Sequence, residues 1–345
     1  MNRSLLHEPV ELIAIDMDGT LLGVEGKVSA RNLAALQAAE RAGIHIVIAT
    51  GRRHCYAMRQ LRKLRLNPEG VVISSNGAVT RTLGEGFAGS RLLDRTLLPP
   101  ETARWLCQQV SEFRDALVVT FDRVGEDGED AMGALVVEDL TELNASIGRW
   151  MSANQPYIEH VVPIEDALGR EGLLQMMLCG TIERMRRAEA TLLESSRVSA
   201  TSAALEANRG EISDVEQARR ADDGTVVVGE VALHRTEYPE RDLCILDILP
   251  AGCSKGDAIS TIAGRRGVKL WNCMAIGDNW NDVSMLAAVG HPVLMANAPE
   301  DLKLLAVERG WVVAPHHLED GAGKAIEGVL QAEGVRTEMT SSGRL

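Results

Sequence analysis

Leu12-Ile-Ala-Ile-Asp-Met-Asp-Gly-Thr-Leu-Leu22 opens with four apolar residues and stops at Asp16. A short apolar run ending abruptly on a polar turn reads as a strand of a parallel sheet, buried on both faces. The residues after it support this. Ser29 can cap a helix from about Ala30 with Leu33 and Leu36 on one face, and Gly43 stands where a glycine closes a helix. Ile44–Ala49 is the next strand and ends at Thr50-Gly51-Arg52; a helix from about Arg53 to Leu64 leads to strand Val71–Ser74. Strand, helix, strand, helix, strand is the rhythm of a parallel sheet covered by helices.

The rhythm returns near the C-terminus. Lys255-Gly-Asp-Ala-Ile259 opens a helix, Trp271–Ile276 is a strand ending at Gly277-Asp278, and Asn281–Val289 is a helix closed by Gly290. Strand Pro292–Met295, a helix near Pro299–Val307, strand Trp311–Val313 and helix Gly323–Ala332 follow, with 336–345 expected as a flexible tail. Pro99-Pro100 breaks the pattern, and from there helix-like stretches (102–113, 141–152, 182–194) alternate with strand-like ones (Leu117–Phe121, Ala134–Val137, Leu173–Cys179, Thr225–Glu230, Leu243–Asp247). The expected fold class is α/β: a Rossmann-like parallel-sheet core, 1–98 and 250–335, with an inserted α+β cap domain, 99–249. Residues 195–223 are polar, lack aromatics and read as a long excursion or mobile loop.

Composition narrows the function. The chain has 345 residues, 45% apolar and 25% charged, enough for about two domains with sizeable cores. Asp and Glu outnumber Lys and Arg by 49 to 36, a net charge of −13, and no basic stripe is present, which argues against a nucleic-acid partner. No apolar run reaches the roughly 18–20 residues of a membrane span, and the N-terminus lacks a signal-peptide core, so the chain is read as cytoplasmic. The six cysteines form no Cys-x-x-Cys pair and are expected as buried small hydrophobes.

Four segments carry chemistry: Asp16-Met-Asp-Gly-Thr20, Thr50-Gly-Arg52, Lys255-Gly256 and Gly277-Asp-Asn-Trp-Asn-Asp282. Three follow directly on expected strands, whose carboxyl ends share one edge in a parallel sheet. Asp16, Asp18 and Asp278 brought together need a cation, and hard oxygens with room for water and phosphate suit Mg²⁺. A carboxylate beside that ion and an ammonium can attack phosphorus. Lys255 would neutralise charge, the Thr50 hydroxyl and loop N–H groups would hold phosphate oxygens, and Asp18 could serve as acid and then base. Gly19 allows the sharp turn after the strand.

This set resembles the haloacid dehalogenase (HAD) superfamily of phosphotransferases and is most similar to its Cof-type, type IIB phosphatases. Ser74-Ser-Asn-Gly-Ala78 and Leu249-Pro-Ala-Gly-Cys-Ser-Lys-Gly256 share the likeness, which covers about 10–98 and 246–330. The resemblance implies Asp16 as nucleophile, Asp18 as acid/base, and Thr50 and Lys255 on phosphate. It implies a metal set of Asp16, Asp18 through its main-chain carbonyl, and Asp278, with Asp282 and Asn281 supporting the metal or Lys255. Arg52 and Asn76 would line the substrate entrance, with Gly51 and Asn281 also among the substrate-binding residues. The implied activity is Mg²⁺-dependent hydrolysis of a small phosphomonoester, a sugar phosphate or similar, with a cap closing by a hinge near 98 and 249. A phosphomutase or phosphotransferase, and a non-catalytic phosphate-binding scaffold, stay open beside it. A dehalogenase would leave Asp18 and the metal set without a task.

Other residues receive plainer readings. His54, His316-His317 and Met176-Met177 are expected to be structural, and Glu211–Glu216 with Asp222-Asp223 a solvated face. Trp280 either shields the cleft or packs.

Overall fold

The computed structural model of the chain describes residues 9–85, 89–126, 128–139, 141–199 and 229–342. The opening stretch forms β1 (Leu12–Asp16), followed by α1 (Ala30–Arg41), β2 (His45–Ala49), α2 (His54–Leu61), β3 (Val71–Ser74), β4 (Val79–Thr82) and β5 (Leu92–Arg95). Ser29 caps α1 by accepting the Asn32 N–H, as its residue type favours. The chain then runs through α3 (Pro100–Gln109), β6 (Leu117–Phe121), β7 (Leu135–Val137), α4 (Thr141–Asn154), β8 (Ile158–His160), β9 (Leu173–Gly180), α5 (Ile182–Leu193), β10 (Val198–Ser199), β11 (Val231–Tyr238) and β12 (Leu243–Pro250). It returns through α6 (Lys255–Arg266), β13 (Cys273–Gly277), α7 (Val283–Ala288), β14 (His291–Met295), α8 (Glu300–Arg309), β15 (Val312–Ala314) and α9 (Gly321–Ser342).

One sheet has the order β15-β14-β13-β1-β2-β3-β4-β5. Strands β15 through β3 are parallel, and β4 and β5 continue the edge antiparallel. The α/β reading with a parallel sheet therefore holds. Alternate residues of each strand serve opposite faces. Ile13, Ile15, Ile46 and Ile48 pack with Leu36, Met58 and Ile326, while Leu12, Ala14, Val47 and Ala49 pack with Ile259, Leu286 and Leu302. Each such Leu or Ile contributes roughly 1.5–3 kcal/mol of burial free energy. Because β13, β1 and β2 are adjacent, the segments after Gly277, Asp16 and Ala49 emerge at one edge.

The second sheet, β10-β11-β12-β9-β6-β7-β8, is antiparallel except at its two outer pairs. Val119, Met176, Leu178, Leu246 and Ile248 pack under α3 and α5. The opposite face, with Val118, Leu135, Met177, Cys179 and Leu243, packs against Ile147 and Met151 of α4. Met176 and Met177 thus lie on opposite faces of one strand.

Buried and half-buried ion pairs join the two sheets' regions. Asp122 accepts from Arg81 at 2.8 Å and Arg95 at 3.0 Å, and Arg53 donates to Asp130 at 2.7 Å and to the side-chain Oδ1 of Asn154 at 2.7 Å. Arg59 and Arg62 both hold Glu129, at 2.9 and 3.1 Å. Taking one partner from such a pair leaves an uncompensated buried charge, which is costly.

Several elements differ from the sequence reading. The strand expected at Thr225–Glu230 starts at Val231; 225–228 lie outside the described residues, and Glu230 is not in a strand. Val231–Tyr238 carries His234, Arg235 and Glu237, whose main partners are the distant Cys253 carbonyl, Glu189 and Arg186, so its strand character is hidden locally. The strand expected from Trp271 begins at Cys273, after a 3-10 turn at Leu270–Asn272. The final helix runs to Ser342, so 336–342, expected as a flexible tail, are helical; no proline interrupts that stretch. The Glu211–Glu216 and Asp222-Asp223 stretch lies outside the described residues.

All six cysteines are buried and unpaired. Among the described residues no helix is long and apolar enough to cross a membrane. His316 accepts the Leu318 N–H and His317 bonds the Leu22 carbonyl at 2.9 Å, so both are structural. Burial, with Arg81 and Arg62 nearby, pushes His54 down to about 3. Burial also pushes His234 down to about 4, and its Nε2–H donates to the Cys253 carbonyl at 2.8 Å.

Both groups are lowered from an ordinary 6.5, so the unfolded chain binds more protons than the folded one below that pH. The stability they protect is complete above 6.5 and is lost as pH falls towards about 4 and about 3. In His234→Gln the side chain still donates but cannot titrate. Its unfolding free energy, measured by urea titration, should fall less steeply between pH 6.5 and 4, by up to one proton, about 1.4 kcal/mol per pH unit. An unchanged slope would contradict this assignment.

Candidate active site

Asp16 ends β1, and the chain turns at once. Gly19 has φ +78°, and a Cβ there would sit 2.2 Å from Asp278 Oδ2. Only glycine permits both the left-handed turn and the close approach. The turn brings Thr20 Oγ1–H to Asp278 Oδ1 at 3.0 Å, and Asn297 donates to Asp278 Oδ2 at 3.1 Å and to the Gly19 carbonyl at 2.8 Å. The loop after β1 is thereby tied to the loop after β13.

Lys255 enters from the first turn of α6, capped by Ser254. Its ammonium is wholly buried and lies 2.6 Å from both Asp16 Oδ1 and Asp282 Oδ1. Asp282 Oδ2 accepts the N–H groups of Asp278 at 2.9 Å and Asn279 at 3.1 Å. Both Asp282 oxygens are thus engaged in seating Lys255 and shaping the loop.

The electrostatics follow from burial. Desolvation pushes the Asp16 carboxyl up to about 8, with Asp282 and Asp18 adding to the rise and Lys255 opposing it. Asp278 is also raised well above the carboxylate range, by burial first and then by Asp16 and Asp282. Burial works against the Lys255 charge, but Asp16 and Asp282 outweigh it and hold the ammonium above the ordinary lysine range. Oxygens of Asp16, Asp278 and Asp282 lie within 4.8 Å of one another. Three buried carboxylates share one ammonium, an all-oxygen set that fits a hard divalent cation.

Thr50 follows β2 and is buried; its Oγ1 accepts the Arg52 N–H at 3.1 Å. Arg52 is stacked over Tyr56, 5.0 Å from the ring centre, and grips Asp18 in a fork, with Nε 2.7 Å from Oδ2 and Nη2 on Oδ1. Ser75 and Asn76 both take left-handed φ, 48° and 50°, a conformation costly outside glycine and concentrated at functional sites. That kink aims Asn76 inward: its Nδ2 donates to Asp247 at 2.8 Å and its Oδ1 accepts from Asn281 at 3.0 Å.

A cavity of about 780 Å³ separates this edge from the cleft face of the second sheet. Asp16, Asp18, Gly51, Arg52, Asp278 and Asn281 line its floor. Thr50, Asn76, Lys255 and Asp282 lie buried behind them. Trp280 packs in the core with Val283 and Leu286, under Arg235, and does not line the cavity.

Sequence reading missed several contributors. Asn279 holds β11 by donating to the Glu237 carbonyl at 2.8 Å and accepting its N–H at 3.1 Å. Thr20 and Asn297 brace Asp278. Asp247, a lone carboxylate in the apolar run Leu243–Pro250, was a legible signal: burial pushes it up to about 7, while Asn76 draws it down.

A family model described as haloacid dehalogenase-like hydrolase matches residues 13–196 and 237–326. The chain is 25% identical over 335 residues to the 5-amino-6-(5-phospho-D-ribitylamino)uracil phosphatase YwtE of Bacillus subtilis, covering 94% of this chain and 99% of that one. It is 26% identical over 298 residues to an HMP-PP phosphatase of Escherichia coli, covering 85% and 86%. Its fold matches the HAD subclass IIB sugar phosphatase BT4131, with TM-score 0.63 at 21% identity over 93% of this chain and all of that one.

Proposed function

The chain belongs to the haloacid dehalogenase-like hydrolases, and we propose that it is a Mg²⁺-dependent phosphatase that hydrolyses a small phosphomonoester through an aspartyl-phosphate on Asp16. The observation that carries this reading is the buried Asp16–Lys255–Asp282 ion set at the cavity floor, with Asp18 two residues from Asp16. Two full-length relatives bear phosphatase names, one for a ribitylaminouracil phosphate and one for HMP-PP.

In this reading one Asp16 oxygen attacks phosphorus as the ester oxygen leaves, and Asp18 gives that oxygen a proton. Asp18 then takes a proton from the water that attacks the aspartyl-phosphate, releasing phosphate and restoring the Asp16 carboxylate. Arg52 orients Asp18 through its fork, and Lys255 fixes the attacking carboxylate while countering the incoming charge. Thr50, Gly51, Arg52, Asn76 and Asn281 form the phosphate and entrance shell. Asp16, Asp278 and the Asp18 main-chain carbonyl would hold Mg²⁺, with Asp282 seating Lys255. The ion would neutralise the crowded carboxylates and polarise phosphoryl oxygens. The core spans 1–98 and 250–335, and 99–249 is the cap.

The test is phosphate release from a panel of sugar, polyol and heterocyclic phosphomonoesters, with Mg²⁺ and with EDTA. Release from at least one compound only with Mg²⁺ is expected. Equal release in EDTA, or none from any compound, would contradict the proposal.

A further inference from the structure

The cleft face of the cap sheet is graded. Along β9 the residues facing the cavity are Gln175, Met177 and Cys179, and along β12 they are Asp247, Ile245 and Leu243. Gln175 and Asp247 lie at the end nearest the floor, where Asn76 reaches Asp247. Met177 stands level with Asp247 across the strand pair, and Cys179, Ile245 and Leu243 lie beyond. A ligand with phosphorus at Asp16 therefore meets an amide and a carboxylate first and an apolar wall afterwards.

Gln175 is 3% exposed, and its Nε2 donates to Asp247 Oδ1 at 3.0 Å. Asp247 receives a second amide, from Asn76, on its other oxygen. Two donors on a carboxylate fix the Gln175 amide, since turning it over would set carbonyl against carboxylate oxygen. Its Oε1 is buried without a hydrogen-bond partner, on a residue that lines the cavity. A buried acceptor left unpaired is costly in the empty protein and is relieved by a ligand donor.

We propose that Gln175, oriented by Asp247, is a specificity-determining residue that accepts a hydrogen bond from a hydroxyl on the leaving group. This selects hydroxylated phosphomonoesters over apolar ones of the same size. The inference rests on the phosphatase reading for the placement of phosphorus.

The test separates the two claims. Turnover by the wild-type protein judges the phosphatase reading. Equilibrium binding to Asp16→Asn judges Gln175, by calorimetry with Mg²⁺ at a pH above the Asp247 value of about 7. The probes are glucose 6-phosphate, ribitol 5-phosphate and cyclohexylmethyl phosphate, the last matching the sugar ring without hydroxyls. The better hydroxylated probe should bind at least about tenfold tighter than cyclohexylmethyl phosphate, the scale of one well-made hydrogen bond. In Asp16→Asn/Gln175→Met that preference should shrink to within about threefold. A merely structural role would weaken all probes alike and leave the ratio intact. If the methionine variant does not fold, Asp247→Asn, which frees the amide to rotate, should lower the same ratio. No preference in Asp16→Asn, or a preference that survives in whichever variant folds, would overturn the proposal.

Discussion

Asp16→Asn should lose turnover by about 10⁴-fold or more while keeping its fold. Removing a covalent nucleophile costs about 5 kcal/mol of barrier or more, which at about 1.4 kcal/mol per decade is about four decades. Asparagine matches aspartate in shape, and Lys255 keeps Asp282 at 2.6 Å. Stability should not fall with activity. The Asp16 carboxyl is raised from 3.8 to about 8, so the folded chain holds a proton that the unfolded chain has released. The group therefore costs the folded state stability as pH rises through that window, and asparagine removes the cost. Steady-state release of phosphate and thermal unfolding in Mg²⁺-free buffer check the two halves. Retained turnover would contradict the nucleophile assignment; a large drop in thermal midpoint would make the loss structural.

Lys255→Met should damage both properties. The ammonium is wholly buried between two carboxylates, with Asp278 close by. Methionine fills similar space but leaves those carboxylates without their cation. Breaking a buried pair this way costs about 3–5 kcal/mol. The loss in Mg²⁺-free urea titrations should be largest at neutral and alkaline pH, and smaller in mild acid, where the carboxylates can be protonated. Turnover should fall by about 10³-fold, since the attacking oxygen loses its anchor and the arriving phosphate its counter-charge. Unfolding free energy within about 1 kcal/mol of wild type would mean that Lys255 does not hold this cluster together.

How much of this was legible depended on where the physical cause lay. The apolar run before Asp16, the Ser29 cap and the run before Thr50 are local, so the parallel core and the succession of its elements along the chain could be read directly. Once the strands are parallel, the convergence of Asp16, Thr50 and Asp278 follows from topology, although Asp16 and Lys255 are 239 residues apart. What could not be read depended on partners brought together by folding. β11 carries Glu237 and His234, paired with Arg186 and the Cys253 carbonyl. Gln175 and Asp247 meet across 72 residues on adjacent strands, with no shared motif. The β4–β5 hairpin lies at an edge, where β5 alternates between exposed and half-buried residues and gives little apolar signal. Arg52 was read as an entrance residue; that it also grips Asp18 depends on side-chain reach between two loops, which spacing does not encode.

In the proposed reaction the phosphoryl group passes through Asp16. Mixing the protein with p-nitrophenyl [³²P]phosphate and Mg²⁺, quenching in acid within milliseconds and mapping the labelled peptide tests it most directly. A hydroxylamine-labile phosphoryl group is expected on the peptide containing Asp16 and absent from Asp16→Asn. Turnover of the same compound with no protein-bound label, or label on another residue, would contradict it.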